Sequence, residues 1–269
     1  MIDALLAGID FTCAPSRRKP ITVATGRWVA DRLVLDDVAE LATLAAFDDW
    51  LRRPGPWLGA FDFPFGLPRA FVDANGLGRS CAEVSAAVHE RCPTRMAWRA
   101  FIDAWGNTQP AGRRLLHRAA DRGAEIVPTS PLQTRYVPVG LMYYEGMARL
   151  LASGCALPGL HDGDPARVAL EGYPRRVAHA LVGRRSYKNS VLDDRCATRE
   201  AMVAGLEHGG RFGFVLAVAP ALRATLVADH SGDRLDAVMC LVQAAVASRR
   251  PGYGVPDDAD PVEGSICAA

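Results

Sequence analysis

The sequence has little lysine, no paired cysteine motif and no long apolar run. Lys19 and Lys188 are the only lysines among the 31 basic residues, so arginine carries nearly all of the positive charge. The seven cysteines are scattered, with no CxxC pair and no Cys/His cluster at zinc spacing, which excludes a zinc site of the finger or ribbon type. No apolar stretch approaches the ~18 residues of a membrane span. The first residues also lack the basic and apolar regions of a signal peptide. We therefore expect a cytoplasmic protein with reduced thiols and no membrane partner.

The composition is that of a globular chain. Of the 269 residues, 49% are apolar, which is enough for a large core and excludes a disordered protein. The 31 basic and 30 acidic residues leave a net charge of +1. This balance excludes a basic field over the whole chain, but it leaves room for a local basic patch that binds nucleic acid.

The first part of the chain is predicted to fold as β-β-β-α-β. A turn at Thr25-Gly26 is expected to join the second and third strands. Asp37 is expected to cap a helix whose apolar residues recur at helical spacing as far as Leu51. The predicted strands are Ala4–Ile9, Pro20–Thr25, Arg27–Leu35 and Trp57–Phe61.

The middle of the chain is predicted to be a helical insertion. Residues 69–165 show helical periodicity, and a segment of this length between two strands is too long for a bare loop. The helices expected there are 81–92, 94–105, 112–123 and 141–153. An α/β pattern returns with a strand at 167–170 and helices near 175–181, 198–208 and 231–248, and the tail 250–269 is expected to wrap the surface. Residues 1–269 are thus predicted to form one α/β domain that residues 69–165 interrupt.

Three predicted strands end in an acidic residue. Asp10, Asp62 and Glu171 each follow directly on an apolar run. In a sheet with mostly parallel strands the carboxyl ends of neighbouring strands lie together, and ligands bind there. Three carboxylates at one edge would repel each other unless a cation lies between them, and Mg²⁺ or Mn²⁺ suits such oxygen ligands. Each residue also has a simpler interpretation, in which it ends a strand or caps a turn.

A second acidic signal lies at the start of the last predicted helix. Asp233 and Asp236 are three residues apart, so they share one face of that helix, while its apolar residues pack on the sheet. Such a helix would direct its first-turn acids at the strand-end acids. Acids in a first turn also stabilise the helix dipole without any metal.

These motifs resemble those of the DUF429 family, predicted nucleases with a ribonuclease H-like fold. The resemblance is carried by Gly8-Ile9-Asp10, by the segment 61–68, by Glu171-Gly172-Tyr173-Pro174-Arg175 and by Asp233-Arg234-Leu235-Asp236-Ala237. Glu263-Gly264-Ser265-Ile266 is similar to the closing signature of the family, with Ser265 in place of the usual aromatic residue. Residues 69–165 carry no part of the resemblance.

The resemblance implies a mixed five-stranded sheet with an antiparallel second strand, flanked by helices. It also implies hydrolysis of a phosphodiester by two metal ions, with nucleic acid as the partner. By this similarity the metal ligands would be Asp10, Asp62, Glu171 and Asp236, and Asp233 would join them as a catalytic acid. Lys188 is a candidate for contact with the substrate phosphate, and so is Arg175; the alternative for each is an exposed, solvated position.

Two other functions remain open at this point. Gly8-Ile9-Asp10-Phe11-Thr12 partly matches the phosphate loop of sugar kinases and actin-like ATPases, but the chain has one copy of the pattern and no Walker A motif. A non-catalytic scaffold that binds nucleic acid or protein through the insertion is the other alternative. A serine hydrolase is disfavoured because there is no G-x-S-x-G motif. Helical faces of the insertion are also candidates for a homodimer interface.

Overall fold

The computed structural model describes residues 4–122, 126–189, 192–208 and 210–267. Its centre is a mixed seven-stranded sheet in the order β5-β6-β4-β1-β2-β3-β7. Strand β2 runs antiparallel to β1 and β3, whereas the pairs β1–β4 and β4–β6 are parallel. The strands are β1 (Leu5–Asp10), β2 (Ile21–Val29), β3 (Arg32–Leu41), β4 (Trp57–Phe61), β5 (Cys155–Ala156), β6 (Asp164–Glu171) and β7 (Val215–Ala217).

Helices cover both faces of this sheet. They are α1 (Leu44–Leu51), α2 (Arg69–Asn75), α3 (Cys81–Arg91), α4 (Arg95–Asn107), α5 (Ala119–Arg122), α6 (Val139–Ser153), α7 (Pro174–Val182), α8 (Asp193–His208), α9 (Pro220–Ala228) and α10 (Asp233–Ser248), and a 3₁₀ turn follows at Pro251–Gly254. The predicted α/β class with a mixed sheet flanked by helices is confirmed. The sheet has seven strands rather than five, because the two- and three-residue strands β5 and β7 extend its edges.

The alternation of side chains along the strands separates two apolar cores. Ile9 and Phe61 point to one face and pack with α1 and the helices of the 69–165 segment. Leu6 and Leu58 point to the opposite face and pack with α7 to α10. The predicted insertion therefore supplies most of the helical layer on one side of the sheet, and its helices bury Trp98, Tyr143 and other large side chains.

The β2–β3 hairpin turns later than the sequence predicts. Pairing continues to Val29 and Arg32, so the loop consists of Ala30 and Asp31, and the predicted turn at Thr25-Gly26 is wrong. The register shifts between Thr25 and Gly26, where a Cβ on Gly26 would lie 2.5 Å from the carbonyl oxygen of Val34. The glycine permits a bulge within the strand and not its end.

Two helix predictions also need correction. Asp37 caps no helix, because β3 extends to Leu41 in pairing with β2, and the helix begins at Leu44 with Thr43 as its cap. Thr43 accepts a 3.1 Å hydrogen bond from the amide of Ala46. The predicted helix 112–123 is reduced, among the described residues, to Ala119–Arg122; Gly123 lies outside them. The other predicted helices are present within a few residues of their expected bounds, and α2 and α9 were not predicted.

The C-terminal tail runs partly through the interior. Val262, Glu263 and Cys267 are buried, and Ile266 forms a parallel bridge with Glu171 at the end of β6. The expectation of a tail that only wraps the surface is thus wrong for these residues. Six of the seven thiols are buried, Cys196 is half-buried, and all seven are free, as the sequence predicts.

Candidate active site

Three of the predicted acids meet at one edge of the sheet. Asp10 ends β1 and Asp62 directly follows β4, and these neighbouring parallel strands end side by side. The amide of Asp62 donates a 2.8 Å hydrogen bond to the carbonyl of Ile9, which keeps the two acids level. Asp236 reaches them from the first turn of α10. One carboxylate oxygen of each residue lies within 4.8 Å of those of the other two, and we call this group the acid triad.

The position of Asp236 depends on close contact between α10 and β1. A Cβ on Gly8 would lie 2.0 Å from both the carbonyl oxygen of Ala237 and the amide nitrogen of Leu241. Real Cβ contacts are never this short, so only glycine allows the helix to lie directly on the strand. Every residue of α10 from Leu235 to Ala247 is buried, and most of these side chains are apolar. Its first turn is therefore held at the edge where β1 and β4 end.

Desolvation and neighbouring carboxylates raise the pKa of each acid in the triad. Desolvation, and after it the charge of Asp236, raise the pKa of Asp62 to about 8, although Lys188 opposes the rise. The pKa of Asp10 is also raised well above its usual value, first by desolvation and then by Asp236 and Asp62. Burial likewise raises the pKa of Asp236, although Lys188 and Tyr187 oppose it. A cation placed among these carboxylates would remove the repulsion.

Lys188 lies against the triad. Its ammonium forms a short ion pair with Asp236 and lies 3.7 Å from Asp233. Desolvation lowers the pKa of Lys188, but the charges of Asp236 and Asp10 outweigh that effect and the lysine stays charged. Tyr187 donates a 2.6 Å hydrogen bond to the other oxygen of Asp236. Lys188, the candidate for contact with the substrate phosphate, thus lies beside the acids. The sequence did not indicate that Tyr187 would also bind Asp236.

Asp233 lies beside the triad but is not one of its three members. Its backbone amide donates a 3.2 Å hydrogen bond to the hydroxyl of Ser231 at the start of α10. Its carboxylate faces the Lys188 ammonium, and its charge also raises the pKa of each of the three triad acids. Of the two acids on the last helix, Asp236 is therefore the one that joins Asp10 and Asp62.

Glu171 is held by an arginine of the insertion. Arg118 donates a short hydrogen bond to one carboxylate oxygen and a 2.7 Å bond to the other. The amide of Phe65 donates a further 2.8 Å bond. Burial raises the pKa of Glu171 although Arg118 lowers it. Glu171 thus ends its strand beside the triad, as predicted, with both oxygens already hydrogen-bonded.

The same arginine ties the insertion to the C-terminal tail. Arg118 pairs with Asp121 at 2.8 Å and donates a 3.0 Å hydrogen bond to the carbonyl of Glu263. The Glu263 carboxylate accepts bonds from the amides of Arg69 and Ala119, both at 2.6 Å. The sequence did not indicate Arg118 or Asp121. Glu263, in contrast, belongs to the closing motif that resembles the family signature, and that motif indicated it in the sequence.

A cleft of about 680 Å³ opens above these residues. Asp62, Glu171, Asp236 and Lys188 line its floor. One side, which we call the arginine wall, consists of Arg175, Arg184, Arg185 and Arg195. The opposite side, which we call the insertion wall, consists of Ile126, Pro128, Thr129, Val137, Val139 and Met142. Arg175 therefore lines the same cleft as the acids, and its contact with a ligand stays a prediction.

The arginine wall is available to an anion. Arg175, Arg184 and Arg185 are exposed, and within the described residues no acidic side chain pairs with them or with Arg195. Arg195 instead donates to the Ser186 hydroxyl and, at 2.8 Å, to the carbonyl of Lys188, which fixes the loop that carries the lysine. Cationic side chains of this kind suit phosphate groups.

Among the described residues, no helix is both long and apolar enough to cross a membrane. A comparison of the chain with known proteins gave no match to a curated protein and none to a solved structure. A family model described as "Protein of unknown function (DUF429)" matches residues 8–260, which span β1 to the tail and include the acid triad, Lys188 and Arg118. The match covers nearly the whole chain, and the protein therefore belongs to the DUF429 family.

Proposed function

We propose that this protein is a metal-dependent nuclease that hydrolyses phosphodiester bonds in nucleic acid. The observation that carries the proposal is the acid triad, whose ligand atoms lie within 4.8 Å of one another at the edge where the cleft has its floor. Exposed arginines flank this floor, so a phosphate would meet positive charge on the wall and a metal-binding group below it. Carboxylates and arginines in this arrangement are typical of phosphoryl chemistry.

The triad fits a hard divalent cation. Asp10, Asp62 and Asp236 offer oxygen ligands, which Mg²⁺ and Mn²⁺ prefer, and their raised pKa values indicate a need for positive charge. When bound, such ions supply an activated water and stabilise the leaving oxygen. The protein's own part is to hold the carboxylates and to place Lys188 and the arginine wall around the phosphate. Glu171 would support the site through Arg118, and its predicted role as a ligand requires release from that arginine.

The fold supports the same proposal. The central strands follow the order β6-β4-β1-β2-β3, with β2 antiparallel, and acids come from the ends of two adjacent strands and from the last helix. These features agree with the mixed five-stranded sheet of the ribonuclease H-like fold, which we propose for this chain. The seven free thiols support the cytoplasmic location that belongs to the proposal.

A cleavage assay tests the proposed activity. The full chain is incubated with Mg²⁺ or Mn²⁺ and labelled single-stranded, duplex, hybrid and branched substrates. We expect cleavage that chelator abolishes and that Asp10→Asn reduces by at least ~10³-fold, because a metal ligand is lost. Asp49→Asn, which changes an exposed aspartate on α1 remote from the triad, should cleave at the wild-type rate. Circular dichroism should show both variants folded, and full cleavage by Asp10→Asn would refute the mechanism.

The position of Lys188 favours a second candidate function, that of a binding module without catalysis. Its ammonium already compensates Asp236, so the acids have a positive partner within the chain. In that case divalent ions would bind weakly or not at all, and nucleic acid would bind without being cleaved. Isothermal titration of the protein with Mn²⁺ separates the two functions, because the nuclease requires saturable binding that Asp10→Asn weakens.

A further inference from the structure

The two walls of the cleft differ in chemistry. The arginine wall comes from α7, from the loop before α8 and from α8 itself, and its members carry positive charge. Among the described residues of the insertion that line the cleft, Arg118 is the one charged side chain, and it is paired with Glu171 and Asp121; those of the insertion wall carry no charge and are mostly apolar. A ligand that fills the cleft would therefore have an anionic side and an uncharged, apolar side.

The rim of the insertion wall also exposes apolar side chains. Tyr136 is 94% exposed, and it directly precedes Val137, which is 53% exposed and lines the cleft. Val127, also 53% exposed, lies between the lining residues Ile126 and Pro128. Tyr136 and Val127 are not themselves lining residues, but their chain neighbours are, which puts these exposed apolar side chains next to the cleft. An exposed tyrosine ring in particular offers a flat face on which a nucleobase can stack.

This asymmetry matches one strand of a nucleic acid and not a duplex. A single strand presents phosphates along one side and unpaired bases along the other, and proteins bind it with a basic groove and aromatic platforms. A duplex presents phosphates on its whole outer surface and keeps the faces of its bases stacked inside, so it would favour two basic walls. The volume of about 680 Å³ lies in the range of small-ligand sites, which admits a few nucleotides and not the body of a duplex.

We propose that the substrate is single-stranded nucleic acid, held with its phosphates on the arginine wall and its bases on the insertion wall, with Tyr136 as a stacking platform. The proposal rests on the proposed nuclease function, since it names the substrate class of the same site. In this arrangement the strand passes over the acid triad with its backbone toward Lys188. The helical segment 69–165 thereby selects the substrate, in addition to completing the core.

Binding measured without cleavage tests this proposal. Fluorescence anisotropy of labelled oligonucleotides is recorded with the full chain in chelator. We expect the single strand to bind at least tenfold more tightly than the matched duplex. Tyr136→Ala should weaken single-strand binding by roughly 5- to 150-fold, which corresponds to the ~1–3 kcal/mol alanine cost of a stacked base. Tyr136→Phe should bind like the wild type, because it keeps the ring.

One further variant serves as a control, and another tests the phosphate contact. Met96→Ala removes another exposed apolar side chain, 64% exposed on α4 and not among the residues that line the cleft, and should leave binding unchanged. Arg184→Gln should reduce the slope of log affinity against log salt by roughly 0.7, the value for one phosphate contact to a single strand. Unchanged binding of Tyr136→Ala would overturn the proposal, and so would equal binding of duplex or competition by a mononucleotide as strong as that by the oligonucleotide.

The binding and cleavage experiments distinguish failure of the single-strand proposal from failure of the nuclease proposal. If Tyr136-dependent binding of single strands is found but the wild type cleaves nothing with Mg²⁺ or Mn²⁺, the proposed hydrolysis is wrong. Single-stranded nucleic acid then stands as the ligand of the cleft. If the wild type cleaves only duplex, hybrid or branched substrates, the nuclease function stands and single-strand selection is overturned.

Discussion

Arg118 and Glu171 form a buried ion pair that joins the helical insertion to the end of strand β6. The side chains are 2% and 4% exposed, and the guanidinium donates to both carboxylate oxygens. Arg118 also pairs with Asp121, so one arginine compensates two buried acids. The insertion is thereby fixed at the floor of the cleft, beside the acid triad, and its wall is placed opposite the arginines.

Removal of Arg118 should destabilise the protein more than removal of the Glu171 charge. Arg118→Met leaves two buried acids without the arginine that compensates their charge, and we expect a loss of about 3–5 kcal/mol in the free energy of unfolding. Glu171→Gln should cost less, because Asp121 still compensates the arginine. Urea unfolding measures both. Arg135→Met, which breaks an exposed pair with Asp103, should cost less than ~1 kcal/mol. A loss as large as that of Arg118→Met would show that the buried pair contributes no more to stability than an exposed one.

The stability of the metal-free protein should fall as the pH rises from about 4 to about 8. The pKa of Asp62 is about 8 in the folded chain against 3.8 for an ordinary aspartate, so the folded state holds this proton more tightly than the unfolded state. Its favourable contribution is complete below pH 4 and is lost as the pH passes 8. Thermal unfolding in chelator at pH 5 to 9 measures the effect.

Two additions sharpen that measurement. Mn²⁺ should raise the midpoint most at high pH, because the carboxylates must lose their protons to bind it. Asp62→Asn should reduce the dependence on pH in chelator, since it removes one of the three acids with a raised pKa. A midpoint that rises with pH in the metal-free wild type would contradict the raised pKa.

Under the proposed function, substitution of Lys188 should tighten metal binding and slow cleavage. The ammonium both occupies Asp236 and repels a cation, so Lys188→Gln is expected to increase Mn²⁺ affinity by at least about fivefold, given that a unit charge at ~4 Å contributes on the order of 1–4 kcal/mol. Cleavage should still slow, because the phosphate loses a positive contact. Calorimetry and the cleavage assay measure the two effects. Lys19→Gln, at the other and exposed lysine, should change neither.

A methyl group at Gly8 should separate α10 from the sheet. Because its Cβ would lie 2.0 Å from two backbone atoms of the helix, Gly8→Ala is expected to destabilise the protein by about 3 kcal/mol or more and to weaken Mn²⁺ binding by moving Asp236. Gly106→Ala on α4, whose Cβ would meet only Arg114 at 3.7 Å, is the matched control and should be neutral or slightly stabilising. Equal Mn²⁺ affinity in the wild type and Gly8→Ala would show that the close contact does not position the acid.

The sequence predicted the elements whose signals are local. Apolar runs that end in Asp10, Asp62 and Glu171 identified the strand ends, and helical spacing identified α10 with Asp236 in its first turn. These predictions succeed because the burial pattern of a strand or of a helix face depends on residues that are only a few positions apart in the sequence. The errors arose where a local signal fits two structures, as at Gly26, where a bulge and a turn both call for glycine and only pairing with β3 chooses between them.

The sequence alone thus determined the α/β class and the acids that compose the site. The tertiary structure decided their surroundings: that Lys188 lies among the acids, that Glu171 is paired with Arg118, and that the insertion forms the uncharged wall of the cleft. Arg118 and Glu171 are 53 residues apart, and no periodicity in the chain links them. Contacts of this kind depend on how whole layers of helix and sheet pack together, and that packing is a property of the complete fold.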